Sequence, residues 1–144
     1  MTTNDQHLLI YCDGGSRGNP GPAASAFVVL DSNNHQIFQQ GFFLGTTTNN
    51  QAEYQAVIFA LQWIAKQIPN PKSQISINFY LDSELVVRQL NGIYKIKDQN
   101  LKIKNLEIKN LIKNCKLKIK NFVYVPREQN KSADLLVNQT LDQH

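Results

Sequence analysis

HLLIYC, residues 7–12, runs directly into DGGSRGNPGP, residues 13–22. The first six residues form a short, mainly apolar run that is typical of a buried strand. The next ten contain four glycines and two prolines, which predicts a tight turn without regular structure. We therefore expect a strand that ends at Asp13, so that this acid lies where the strand gives way to the turn.

The chain downstream of this turn alternates between two hydrophobic periods. Residues 24–30 and 36–44 are separated by a polar segment and predict two further strands of an antiparallel meander. Residues 50–66 carry apolar side chains at three- and four-residue spacing, which indicates an amphipathic helix. A mostly apolar strand is predicted over 75–81, and a helix over 83–90.

The last third of the chain contains one ambiguous segment. Residues 101–104 alternate like a strand, whereas the apolar positions farther along 99–115 fit one helical face, and the length favours a helix. A strand over 117–125 and a helix over 130–141 complete the order βββ-α-β-α-α-β-α. A strand and helix that follow an earlier helix suggest a parallel addition to the sheet, so we expect an α/β fold.

Composition and charge restrict the class of protein. A chain of 144 residues with 42% hydrophobic side chains is expected to form a single domain over 1–144. The net charge is +4, but residues 95–131 hold 11 basic and 3 acidic groups, a segment charge of +8. Such a segment attracts a polyanion such as nucleic acid, although an ordinary solvated lysine face fits the same pattern.

Other features exclude several classes. Cys12 and Cys115 are far apart and flank no other metal ligands at finger-like spacing, which disfavours a disulfide framework or a zinc site. The N-terminus lacks a basic stretch followed by an apolar core, and no apolar run is long enough to span a bilayer. We expect a cytoplasmic protein that does not bind a membrane.

Four acids have ordinary structural interpretations when they are taken singly. Asp13 suits a turn, and Glu53, three residues after Asn50, suits a capping box. Asp82 suits a helix N-cap, and Asp134 suits the first turn of a helix. Caps and turns are the common use of such acids.

Taken jointly, the four acids favour a metal site. If the strands that precede Asp13 and Asp82 are neighbours, both carboxylates emerge at one edge of the sheet, and Glu53 and Asp134 begin helices that can pack there. Converging like charges repel unless a cation neutralises them. Mg²⁺ or Mn²⁺, two ions to the site, would suit carboxylate oxygens and the hydrolysis of a phosphodiester.

Four blocks of the sequence carry a resemblance to a known family. They are YCDGGS (11–16) with GNPG (18–21), TTNNQAE (47–53), YLDS (80–83) and NKSAD (130–134). In this order and spacing they resemble the motifs of type 1 ribonuclease H (RNase HI), in the short branch without a basic protrusion. The resemblance implies a five-stranded mixed sheet of order 3-2-1-4-5 flanked by helices. It also implies metal-dependent endonuclease cleavage of the RNA strand of RNA–DNA hybrids, leaving 3′-hydroxyl and 5′-phosphate ends.

The resemblance also implies roles for individual residues. The acids that match the catalytic, metal-binding residues of the family are Asp13, Glu53, Asp82 and Asp134. The positions that match hybrid contacts, where 2′-hydroxyls distinguish RNA from DNA, are Gly14, Asn19, Asn49 and Asn50. From the basic segment we add the phosphate contacts Lys95, Lys97 and Arg127.

The chain also departs from the family pattern. Many members carry a histidine in the loop before the last acid, but this loop reads VPREQN (125–130), so Arg127 or Glu128 is the candidate to take part of its role. Gln51 stands where some relatives carry arginine, and Glu84 where some carry glutamine, which weakens phosphate contact.

Two alternatives to a hybrid-specific endonuclease stay open. One is a module that binds hybrids or double-stranded RNA and has lost turnover, which the missing histidine favours and the four acids oppose. The other is a different nuclease of the wider superfamily, such as a resolvase or 3′ exonuclease, which the Thr-Asn-Asn block before Glu53 opposes. In each case we expect a monomer without a protein partner.

Overall fold

The computed structural model describes residues 7–68 and 75–144. In chain order the elements are β1 (His7–Ser16), β2 (Gly21–Leu30), β3 (Gln36–Thr47), α1 (Asn49–Gln67), β4 (Ser76–Leu81), α2 (Glu84–Leu90), α3 (Gln99–Asn114), β5 (Lys118–Tyr124), a 3₁₀ turn (Arg127–Gln129) and α4 (Lys131–Asp142). No helix in the described ranges is long and apolar enough to cross a membrane.

The five strands form one mixed sheet of order β3-β2-β1-β4-β5. β1 pairs antiparallel with β2, and β2 with β3, whereas β4 pairs parallel with both β1 and β5. The predicted α/β fold and strand order are therefore confirmed.

Helices cover the two faces of the sheet unequally. α1 packs against β1 and β2, and α3 packs on α1, so the main core lies between these helices and one face. α4 packs on the other face, where a smaller cluster joins Ala24 and Ala26 of β2 to Val137 and Leu141. The ambiguous segment 99–115 is helical, as its length indicated, with Leu101 and Ile108 buried and seven residues apart on one face.

The predicted turn over 13–22 is wrong in its extent. β1 continues to Ser16 and β2 begins at Gly21, so only residues 17–20 turn the chain. Gly14 pairs with Ser25 in this ladder, and a Cβ on Gly14 would overlap backbone atoms of Ala52 and Glu53 in α1. Gly14 is therefore needed because the backbones of β1 and α1 touch at this position, and not because the chain turns there.

The helix caps also differ from the predicted ones. Thr48, not Asn50, caps α1 by accepting from the Gln51 amide at 3.2 Å. Ser83, not Asp82, caps α2 by accepting from Val86 at 3.3 Å. The hydroxyls of Thr48 and Ser83 therefore cap these helices, and the carboxylates of Glu53 and Asp82 have no capping role.

Candidate active site

Two acids meet at one edge of the sheet because their strands are parallel neighbours. Tyr11 of β1 is in register with Tyr80 of β4, and each is followed two residues later by an aspartate, Asp13 or Asp82. Since side chains two residues apart on a strand share a face, the register brings both carboxylates to one side of the sheet.

Glu53 joins this pair from α1. The crossing at Gly14 brings the first turns of the helix against β1, and buried Ser25 of β2 donates from its hydroxyl to the Ala52 carbonyl at 2.7 Å. One oxygen each from Asp13, Glu53 and Asp82 lies within 4.8 Å of the others. Asp13 and Glu53 are each only 6% exposed.

All three clustered carboxyls have raised pKa values, and burial is the largest cause for each of them. Burial raises the pKa of Asp13 to about 7, with a further contribution from the charge of Asp82. Burial also raises the pKa of Glu53 well above its usual range, and the charges of Asp13 and Asp82 raise it further. Burial raises the pKa of Asp82, against the lowering effect of Asn130 and Arg127. The protein alone therefore leaves negative charge here poorly compensated.

Asp134 belongs to the same cavity but not to the close cluster. It lies in the first turn of α4 and, with the three clustered acids and Arg127, lines a cavity of about 420 Å³, which we call the acidic cavity. Its charge raises the pKa of both Asp13 and Asp82. None of the three histidines, all within the described residues, lines this cavity.

Asn130 contacts the candidate site, although the sequence analysis assigned it no role beyond opening the last helix. It is 1% exposed, and its Nδ2 donates to the Cys12 carbonyl at 2.9 Å and to Asp82 Oδ2 at 3.4 Å. Its side chain makes no capping bond to α4. Asn130 therefore ties the start of α4 to β1 and to the carboxylate after β4.

The predicted substrate contacts lie in two adjoining depressions. Gly14, Asn49, Asn50 and Arg127 line the acidic cavity. A second depression of about 420 Å³, which we call the lysine groove, shares Asn50 with it. The groove is lined by Asn19, Thr48, Asn50, Leu85, Gln89, Lys95, Lys97, Asp98 and Leu101.

Two of these contacts also hold the loop that borders the cavity. Asn49 Oδ1 accepts from the Ser16 amide at 2.8 Å and from its hydroxyl at 3.1 Å. The Asn49 amide in turn donates to Asn19 Oδ1 at 2.9 Å. These bonds fix the β1–β2 turn against the start of α1.

Comparisons with known proteins agree with this architecture. A family profile described as reverse transcriptase-like matches residues 11–140. Ribonuclease HI of Halobacterium salinarum is 37% identical over 92% of this chain, and the chain spans 63% of the length of that relative.

Among solved structures, LC11-RNase H1, isolated from compost by a metagenomic approach, is 38% identical with a TM-score of 0.89, and 97% of each chain is covered. The same LC11 protein in complex with an RNA/DNA hybrid matches with a TM-score of 0.87 over 94% of this chain and 97% of that one.

A mixed 3-2-1-4-5 sheet with a carboxylate cluster at the ends of its two central parallel strands defines the ribonuclease H class of folds. Within that class, the chain belongs to the type 1 ribonuclease H family.

Proposed function

We propose that this protein is an endonuclease that hydrolyses the RNA strand of RNA–DNA hybrids and leaves 3′-hydroxyl and 5′-phosphate ends. The observation that carries the proposal is the convergence of Asp13, Glu53 and Asp82 within 4.8 Å, beside a groove lined by two lysines. Membership of the type 1 family supports it, as does the hybrid complex of the related LC11 protein.

The residues of the cluster fit a divalent metal. Glu53 Oε2 is buried and has no hydrogen-bond partner among the described residues, and such an oxygen is costly unless a ligand meets it. An all-carboxylate donor set suits hard cations, so we propose Mg²⁺ or Mn²⁺, two ions to the site, held by Asp13, Glu53 and Asp82 with Asp134 at the margin. When bound, the ions supply the positive charge that activates a water and stabilises the leaving oxygen.

The remaining residues bind and orient the nucleic acid in this proposal. Arg127 lines the acidic cavity and can donate to a phosphate oxygen without loss of its own charge. Asn49, Asn50 and Gly14 border the same cavity and offer hydrogen-bonding groups to the RNA strand. Lys95 and Lys97 of the lysine groove attract the phosphates of the duplex.

One observation favours the alternative of a module that binds hybrids without cutting them. The loop before α4 carries no histidine, and the acidic cavity has none among its lining residues. The basic side chain of that loop that lines the cavity is Arg127, and a guanidinium group offers hydrogen-bond donors but no acceptor. A cleavage assay therefore distinguishes this alternative from the proposed nuclease.

A cleavage assay with end analysis tests the proposal. A labelled RNA–DNA hybrid is incubated with the protein in Mg²⁺ and in Mn²⁺, with matched RNA duplex, DNA duplex and single strands as controls. We expect cleavage of the RNA strand of the hybrid to products with 5′-phosphate ends. Asp13→Asn should abolish it, whereas Glu107→Gln, which changes an exposed acid on α3, should not.

The outcomes separate the candidates. Tight hybrid binding with no cleavage in either metal would support the binding module, and preferential cleavage of a DNA duplex or single strand would support another nuclease. A monomeric state and a cytoplasmic location are further predictions, which size measurement in solution and cell fractionation would check.

A further inference from the structure

One buried hydrogen bond joins the helix that carries Glu53 to the wall of the lysine groove. Tyr54, the next residue of α1, is fully buried, and its hydroxyl donates to Gln89 Oε1 of α2 at 2.7 Å. A tyrosine hydroxyl is protonated at neutral pH, so it can serve as the donor in this bond. Because Tyr54 donates, the carbonyl oxygen of the Gln89 amide faces α1.

This orientation directs the other end of the Gln89 amide elsewhere. Gln89 is 8% exposed and lines the lysine groove. Its Nε2 donates to no acceptor among the described residues. The atom is also not among the fully buried polar atoms without a partner, so it keeps contact with solvent. The groove is the depression that Gln89 lines, so it is where water or a ligand can accept from this amide nitrogen.

The charges around this donor point to an anionic ligand. Lys95 and Lys97 line the same groove. Asp98, the one acid among the described residues that line the groove, caps α3 by accepting from the Leu101 amide at 3.0 Å. A neutral donor that shares a groove with two lysines, where the one acidic side chain already caps a helix, suits a phosphate oxygen.

We propose that Gln89 is a substrate-contact residue, which donates from Nε2 to a phosphate oxygen of the nucleic-acid backbone, and that Tyr54 is a positioning residue, which fixes the amide in that orientation. The inference rests on the proposed function, because the phosphate belongs to the hybrid that the acidic cavity would cleave. It adds a neutral, oriented contact to the charged ones already predicted in the groove.

Four variants test the two roles. Gln89→Met keeps the length of the side chain and removes its donors, and Gln89→Glu keeps an acceptor for Tyr54 while it removes the donors. Tyr54→Phe releases the amide, and it is also combined with Gln89→Met. Gln62→Met, at an exposed position of α1 outside the groove, is the matched control.

We expect Gln89→Met to raise the KM for hybrid cleavage, and the Kd of hybrid measured in EDTA, about three- to tenfold with little change in kcat. The slope of log affinity against log salt should be unchanged, because a neutral donor displaces no cation. Gln89→Glu should raise KM more. Tyr54→Phe should raise KM less than Gln89→Met, and the double variant should match Gln89→Met alone.

Thermal melts separate binding from folding. Each single change to Met or Phe leaves a buried partner unpaired and should lower Tm, and the double variant should recover part of the loss. A wild-type KM and Kd in both Gln89 variants would overturn the contact, and additive KM effects in the double variant would overturn the positioning role of Tyr54. A wild-type protein that neither binds nor cuts hybrid would overturn the proposed function and this inference with it.

Discussion

Neutralising Asp13 should stabilise the metal-free protein and abolish turnover at the same time. In Asp13→Asn the amide is nearly isosteric with the carboxylate but carries no charge. Because Asp13 lies among converging acids in a buried site, its charge opposes folding when no cation is bound. A turn or cap residue behaves in the opposite way, since its removal costs about 0.5–2 kcal/mol of stability.

The pKa of Asp13 sets the magnitude and the pH window. Its pKa is 3.8 in an unfolded chain and about 7 in the fold. Below 3.8 the carboxyl is protonated in both states. As pH rises to about 7 the unfolded chain ionises first, so folding stability is lost. The shift of about 3 units corresponds to about 4 kcal/mol above pH 7, and to about 1.6 kcal/mol at pH 5.

The expected gain for Asp13→Asn is smaller than this difference, because the buried amide has donors that need partners, at a cost of about 1–3 kcal/mol. We expect a net gain of about 1–3 kcal/mol at pH 8, which raises Tm by about 3–10 °C for a chain of this size. The advantage over wild type should shrink by about 2–3 kcal/mol between pH 8 and pH 5.

The assay is a thermal melt in EDTA at pH 5 and pH 8, repeated at pH 8 with Mg²⁺ or Mn²⁺. Metal at about 100 times its Kd should stabilise wild type by about 2.7 kcal/mol and Asp13→Asn by much less. Glu107→Gln should match wild type in every condition. A lower Tm for Asp13→Asn in EDTA at pH 8, with no metal response in wild type, would refute the metal site.

Three further predictions concern catalysis and binding. Asp82→Asn should reduce kcat at least about a thousandfold, while the Kd for hybrid changes little because the lysine groove is intact. Turnover near the wild-type rate would show that Asp82 is not a catalytic residue. Lys95→Ala combined with Lys97→Ala should flatten the slope of log affinity against log salt by roughly one to two units, and an unchanged slope would make both lysines ordinary surface residues. Asn130→Ala should lower stability by about 1–3 kcal/mol, measured by denaturant unfolding, and reduce kcat more than it raises KM, because it removes the side-chain bonds to the Cys12 carbonyl and to Asp82. A loss of stability with unchanged kcat would limit Asn130 to a structural role.

The order of elements along the chain could be predicted because each element depends on strong local signals. The helical period over 50–66, the apolar run over 75–81 and the motif blocks all lie within short segments. The same is true of the acids, since their places at strand ends and helix starts predict that they converge. The family resemblance then supplied the sheet order, which no single segment contains.

Features that depend on contacts between distant segments were missed. The glycines after Asp13 predicted a turn, but Gly14 makes room for a contact with α1, almost forty residues away. No local sequence pattern contains that contact. Asn130 was predicted only to begin a helix, yet its side-chain amide donates to the Cys12 carbonyl and to the Asp82 carboxylate. The Tyr54–Gln89 bond likewise joins two ordinary helix positions. Only the packed chain shows which of several allowed partners each polar group takes.

The backbone contact at Gly14 fixes the distance between β1 and α1. Backbone meets backbone there, so no bulky side chain between them can be trimmed or enlarged to shift Glu53 relative to Asp13. The length of the acidic side chains is then what can be changed by substitution. Glu53→Asp shortens that length by one methylene, about 1.5 Å, whereas repacking the core leaves it unchanged. A variant of the proposed metal site that is meant to prefer a larger cation should therefore change the length of the acid and leave the surrounding core unchanged.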